Sequence, residues 1–183
     1  MSTRSTISIL KKDNTIESSF AHWDGYMSHN GAILFLHYSD PGKVKSLISF
    51  GSISSLANEV FPKGKHSYDN REEGITVFYG RDRGETDCPS IKFDNISDFV
   101  KNNDFQEFDY IYKEKNNKWY LFEPSKLTFK PLRGLVKKEF KNLSPELQSD
   151  FLTFEKELKI KKQYNLLSES ITVNDSTQLK LKL

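Results

Sequence analysis

Apolar and polar positions alternate over residues 5–10 and, partly, over 15–23, where β-branched and aromatic residues flank the turn signal Lys11-Lys12-Asp13-Asn14. This pattern predicts an N-terminal hairpin. A second hairpin is predicted from Phe108–Tyr112 and Lys118–Phe122, with Asn116-Asn117 at its tip. Between the hairpins, the run Gly31–Tyr38 reads as a short buried helix. Asp40-Pro41, followed by Val44, Leu47 and Ile48 at helical spacing and then Gly51, reads as a capped second helix. Residues 52–72 read as loop, 74–80 as a strand, Ile91–Phe93 as a short strand, and 96–100 as a short helix.

Beyond Pro124 the strand signals stop. Leu132, Leu135, Val136 and Phe140 predict one helix, and Ser144-Pro145-Glu146 starts another. In the second, Leu147, Phe151, Phe154 and Leu158 recur at intervals of four, three and four, which places them on one stripe. The expected fold is therefore α+β: an antiparallel sheet of about five strands with short helices on one face. The expected division is a core domain over residues 1–130 and a helical extension over 131–183, whose last fifteen residues are polar and read as frayed. The stripe must be covered, either by docking on the sheet or by a second copy of the chain as a homo-oligomer.

Composition narrows the function classes. The chain has 183 residues, with 27 basic and 25 acidic side chains. A balance so close to neutral argues against a general nucleic-acid binder. No apolar run reaches the roughly 18 residues of a spanning helix, and the start lacks the basic-then-apolar order of a secretory signal. A cytosolic protein without a membrane role is expected. The single Cys88 excludes an internal disulfide and a multi-cysteine metal cage.

Only five of the basic residues are Arg, and three of them, Arg71, Arg81 and Arg83, fall within thirteen positions. The segment Tyr79-Gly-Arg-Asp-Arg-Gly-Glu85 follows a predicted strand. Continued as a strand, it would project Arg81 and Arg83 from one face and Asp82 from the other. Paired guanidinium forks suit phosphate or carboxylate; mutual charge compensation at a strand end is the plainer reading. Trp23, Tyr26, Tyr38, Tyr79 and Tyr110 could stack on a base beside these Arg residues, or could serve as core and rim. His22, His29 and His37 lie close together, with Asp24 near His22, but without a regular ligand spacing, so neither a metal nor a cofactor is expected. P-loop, nucleophile-elbow and dinucleotide fingerprints are absent.

The segments Met1-Ser-Thr-Arg-Ser-Thr-Ile7, His22-Trp-Asp-Gly-Tyr26, Ser28-His-Asn-Gly31, His37-Tyr-Ser-Asp-Pro41, Gly51-Ser-Ile-Ser-Ser-Leu56 and Tyr79-Gly-Arg-Asp-Arg-Gly-Glu85 resemble a family of small proteins encoded by tailed phages, prophages and plasmids. The resemblance covers about residues 1–122 and carries no catalytic role onto any residue. It implies an accessory phage product acting in the cytoplasm of an infected bacterium. The resulting expectation is a non-enzymatic protein that binds and inhibits or sequesters a host component, in host takeover or counter-defence. Its target would be a host protein or a small phosphorylated ligand, held by Arg81, Arg83, Arg71, Tyr79, Trp23 and Tyr26. The alternative is a nucleotide- or phosphoester-processing enzyme using His22 or His29 as acid/base, Asp24 as orienter and the Arg pair for phosphate.

Overall fold

The structure, a computed structural model, describes residues 2–180, with side chains described through residue 165. Met1–Ser144 form one compact unit and Pro145–Leu183 a second. The first unit is α+β, built on a mixed sheet of eight strands. Both predicted hairpins are present: β1 (Ser5–Leu10) with β2 (Ile16–Ala21), and β6 (Phe108–Lys113) with β7 (Lys118–Glu123). They join side by side through β1 and β6, which run parallel, so the sheet is mixed where an antiparallel one was expected.

Three short strands extend it. β3 (Ile53–Ser55) lies parallel to β2, and β4 (Val77–Phe78) lies antiparallel to β3. β5 (Ile91–Phe93) takes the remaining edge of β2. β8 (Thr128–Pro131) adds to β7. The strand count exceeds five because β3 and β8 occupy stretches whose own patterns carry no strand signal, and because the predicted short strand β5 also joins the sheet. Pairing to an existing edge supplies the hydrogen bonds that a short segment cannot fix by itself.

Helical elements cover both faces of the sheet, not one. Residues 27–31 form a π-helical turn leading into α1 (Ala32–His37), followed by α2 (Pro41–Ser49). α2 begins as its sequence dictates: Asp40 Oδ1 accepts the Lys43 N–H at 2.8 Å, a cap typically contributing about 1 kcal/mol. This layer packs on the face carrying Ile7, Ser19 and Tyr110. Ser19 Oγ donates to Ile48 O, Tyr110 Oη to Gly25 O, and Trp119 Nε1 to Tyr38 O.

On the opposite face, α4 (Ile96–Asn102) is capped by Asn95 Oδ1, which accepts the N–H groups of Ser97 and Asp98. Its Phe99 enters a cluster of Ile16, Phe93, Ile111 and Phe122. Burying a ring of that size contributes about 2–3 kcal/mol. α5 (Leu132–Lys138) contacts α1, β7 and β8 and belongs to the first unit, so the extension begins at Pro145 rather than at residue 131.

The second unit is α6 (Pro145–Lys180), a single helix that carries the Leu147, Phe151, Phe154 and Leu158 stripe and runs through most of the tail read as frayed. Residues 181–183 of that tail lie outside the described residues.

Candidate functional site

The segment expected to leave β4 as a strand is instead α3 (Tyr79–Arg83), one helical turn closed by Gly84 at φ +69°. Helical geometry changes what each Arg does. Arg81 turns inward and is committed to protein acceptors. Its Nε and Nη2 form a fork on Asp82 Oδ1 and Oδ2 at 2.6 and 2.8 Å, while Nη1 donates to Val60 O and Nη2 to Thr76 O. Its planar face lies on Phe50 and Phe78.

Asp82 is almost fully buried and also accepts the Phe78 N–H, at 2.7 Å. The loop 60–73 is held against the same residue, by a main-chain hydrogen bond and by the approach of His66 to its carboxylate. His66 Nδ1 accepts the Glu72 N–H at 3.0 Å, which leaves Nε2 as the protonated nitrogen of the neutral ring, 3.7 Å from Asp82 Oδ2. Tyr68 N–H donates to Asp82 O.

Arg83 faces outward. Its guanidinium lies 4.5 Å from the Tyr68 ring centre and 4.6 Å from that of Tyr79, with Nε paired to Glu85 at 2.7 Å. Arg71 lies 4.5 Å from the same Tyr68 ring and donates through Nε to Tyr68 O. Beyond Tyr79 the row continues. Tyr79 Oη is 2.8 Å from His22 Nδ1, and the His22 and Trp23 rings are 4.7 Å apart. Burial is the main influence raising the Tyr79 pKa, and Arg83 opposes it, so the hydroxyl stays neutral near pH 7.

Backbone pairing mounts this row on the sheet. The N–H groups of His22 and Trp23 donate to Ile53 O and Ser54 O, and the Tyr79 N–H to Ser52 O. The N-terminal motif arrives through Gly25, whose N–H donates to Thr3 O. A Cβ at Gly25 would meet Arg4 backbone atoms at 2.6–2.7 Å, so this approach requires glycine.

Of the residues expected at the site, Arg71, Arg83, Tyr79, Trp23 and His22 meet in one row. Arg81 lies behind it, as a tie between α3 and the loop. Tyr26 is 39% exposed, with its ring 5.9 Å from that of His29. Asp24 interacts with the Tyr26 hydroxyl, and His29 Nδ1 with Asn30 Oδ1 at 3.1 Å. Thus neither carboxylate nor second histidine orients His22; Tyr79 does.

Sequence reasoning missed Tyr68, the ring shared by Arg71 and Arg83, because a loop residue carries no periodicity to mark it. Glu85 is the counter-charge to Arg83, as the plainer reading of mutual charge compensation within the motif expects.

The row is open to solvent: Trp23 is 47% and Tyr68 40% exposed. Among the described residues, cavities lie away from it under α4, beside Asp109 and at the border of Thr6, Ser18 and Asn103. Among the described residues, no group of three or more His, Cys, Asp or Glu is placed to hold a metal ion. No helix among them is long and apolar enough to cross a membrane. No family model, curated protein or solved structure matches the chain.

Proposed function

We propose that this is a non-enzymatic accessory protein of a phage that binds a host protein in the bacterial cytoplasm and inhibits or sequesters it. The observation that carries the reading is the row Arg71, Tyr68, Arg83, Tyr79, His22 and Trp23, exposed at Arg71, Tyr68, Arg83 and Trp23 and half-buried at Tyr79 and His22. Trp, Tyr and Arg are the residues that dominate binding energy at protein interfaces, and here stacking fixes them before any partner arrives. An open row suits a macromolecular surface, whereas a small ligand is ordinarily enclosed over most of its area. Three Arg side chains at or near the row, Arg4, Arg71 and Arg83, favour an acidic or phosphorylated partner surface, with Glu85 the opposing charge. The resemblance to phage-encoded proteins supplies the setting.

The test is affinity capture from infected cells, comparing wild type with Trp23→Ala and Arg83→Ala variants that retain wild-type circular dichroism. A stoichiometric host protein lost in both variants supports the proposal. A nucleotide released on denaturation, without a protein band, favours the small phosphorylated ligand instead. Equal capture by all three proteins removes the row from the interface.

The phosphoester-processing alternative rests on one observation, that His22 and Arg83 both contact Tyr79. It requires phosphate release that disappears in His22→Ala.

A further inference from the structure

On the sheet face opposite α1 and α2, the aromatic cluster around Phe99 does not close completely. Between α4 and the β7–β8 hairpin it opens into a cavity of about 450 Å³, lined by Ile96, Ser97, Val100, Lys101, Phe122, Leu127 and Phe129. That volume falls in the range of pockets that enclose small organic ligands, roughly 300–1,000 Å³. Its walls are aliphatic and aromatic, with Ser97 and Lys101 the polar residues among them.

The mouth has two unusual features. Leu127, 60% exposed, sits at φ +51°, a backbone conformation that costs a branched side chain energy and is normally given to Gly or Asn. This conformation ends the turn Pro124–Lys126 and sets an apolar side chain on the lip.

The second feature is a lysine at the rim without a counter-charge among the described residues. Lys101 has no carboxylate partner among the described residues. Lys113, which touches the lining ring of Phe129 rather than the cavity itself, has its Nζ 3.3 Å from the centre of that ring and 4.8 Å from that of Tyr120, and among the described residues no carboxylate lies in ion-pair distance of it. The neighbouring Lys126 and Lys130, by contrast, both pair with Glu123.

We propose that this cavity is a binding site for a free single-chain amphiphilic anion, its apolar body between Phe122, Phe129 and Val100 and its anionic head on Lys101. Apolar burial supplies the affinity, and the unpaired ammonium selects an anionic head over a neutral one. The site is independent of the Arg–aromatic row, since no residue is shared between them.

The test uses the full chain and two fluorescent probes of matched apolar body, the anionic 1-anilinonaphthalene-8-sulfonate and the neutral N-phenyl-1-naphthylamine, with dodecanoate as competitor. One saturable site, displaced by dodecanoate, is expected in wild type. Lys101→Glu should weaken the anionic probe at least tenfold and leave the neutral probe within twofold. Val100→Trp should fill the cavity and abolish both; if it fails to fold, Ser97→Phe at the exposed edge of the same wall replaces it. The proposal is overturned by absence of saturable binding in wild type, by full binding in the filled variant, or by equal losses of both probes in Lys101→Glu. Capture on phosphatidylglycerol vesicles without displacement by free dodecanoate also overturns it, in favour of a membrane surface.

Discussion

Arg81 and Asp82, adjacent in the helical turn Tyr79–Arg83, hold each other through two parallel hydrogen bonds of 2.6 and 2.8 Å. Through this pair α3, β4 and the loop 60–73 become one body, because the remaining guanidinium donors reach Val60 O and Thr76 O.

Arg81→Lys is expected to destabilise the protein by about 2–4 kcal/mol, since an ammonium cannot reproduce a fork that serves four acceptor contacts and would leave a buried carboxylate under-satisfied. Urea unfolding followed by tryptophan fluorescence measures it. Limited proteolysis should cut first within residues 60–73. An unchanged urea midpoint would show that the pair adds nothing to stability.

Arg83→Lys should behave differently. Arg83 is outward, and its planar group fills the gap between Tyr68 and Tyr79, which a point ammonium does not. Stability is expected to change by less than about 1 kcal/mol, while capture of the partner falls at least tenfold. Retention of full capture would mean that charge alone, and not the stacked fork, makes the contact.

Much of this arrangement was legible in the chain, and the losses have particular causes. Both hairpins and α2 follow from local patterns, because β-branched alternation and the Asp40-Pro41 cap act within a few residues. The parallel β1–β6 pairing leaves no local trace: Thr6 and Asp109 meet across the sheet although 103 positions separate them. The Arg83 and Tyr79 contribution was legible as a motif, but its helical form was not. Gly80 and Gly84 suit a turn as well as a strand end, and the choice was made by Asp82 Oδ2 accepting the Phe78 N–H.

Gly51 tests a different kind of local constraint. Its φ is +78°, and a Cβ there would stand 2.2 Å from Cys88 O, so Gly51→Ala combines backbone strain with a collision against main chain. A loss of more than about 2 kcal/mol is expected. Gly134→Ala is the control: it lies inside α5 with open space around the added methyl and should stabilise by about 0.5–1 kcal/mol. Thermal unfolding of the two variants should shift in opposite directions.

Asp109 gives the pH prediction. Burial raises its pKa from 3.8 to about 6, partly offset by hydrogen bonds from Thr6 Oγ1 and the Gln106 N–H. The sign follows from proton uptake: between about pH 4 and 6 the folded chain keeps a proton that the unfolded chain has released. Asp109 therefore makes stability fall as pH rises through that window and leaves a constant penalty above it. Two pKa units correspond to roughly 2–3 kcal/mol. Asp109→Asn keeps an Oδ1 that accepts both donors, and the adjoining cavity of about 280 Å³ has room for water to bond the new amide. The variant is expected to be more stable than wild type by up to about 3 kcal/mol at pH 7.5, with the difference vanishing near pH 3.5. Glu17 and Glu114, whose pKa values are lowered, lose their contribution as pH falls through the acid range. They do so in both proteins and cancel in the comparison. Urea unfolding of the pair at half-unit pH intervals measures the difference directly, and a gap independent of pH would show that Asp109 is ionised alike in the folded and unfolded chains.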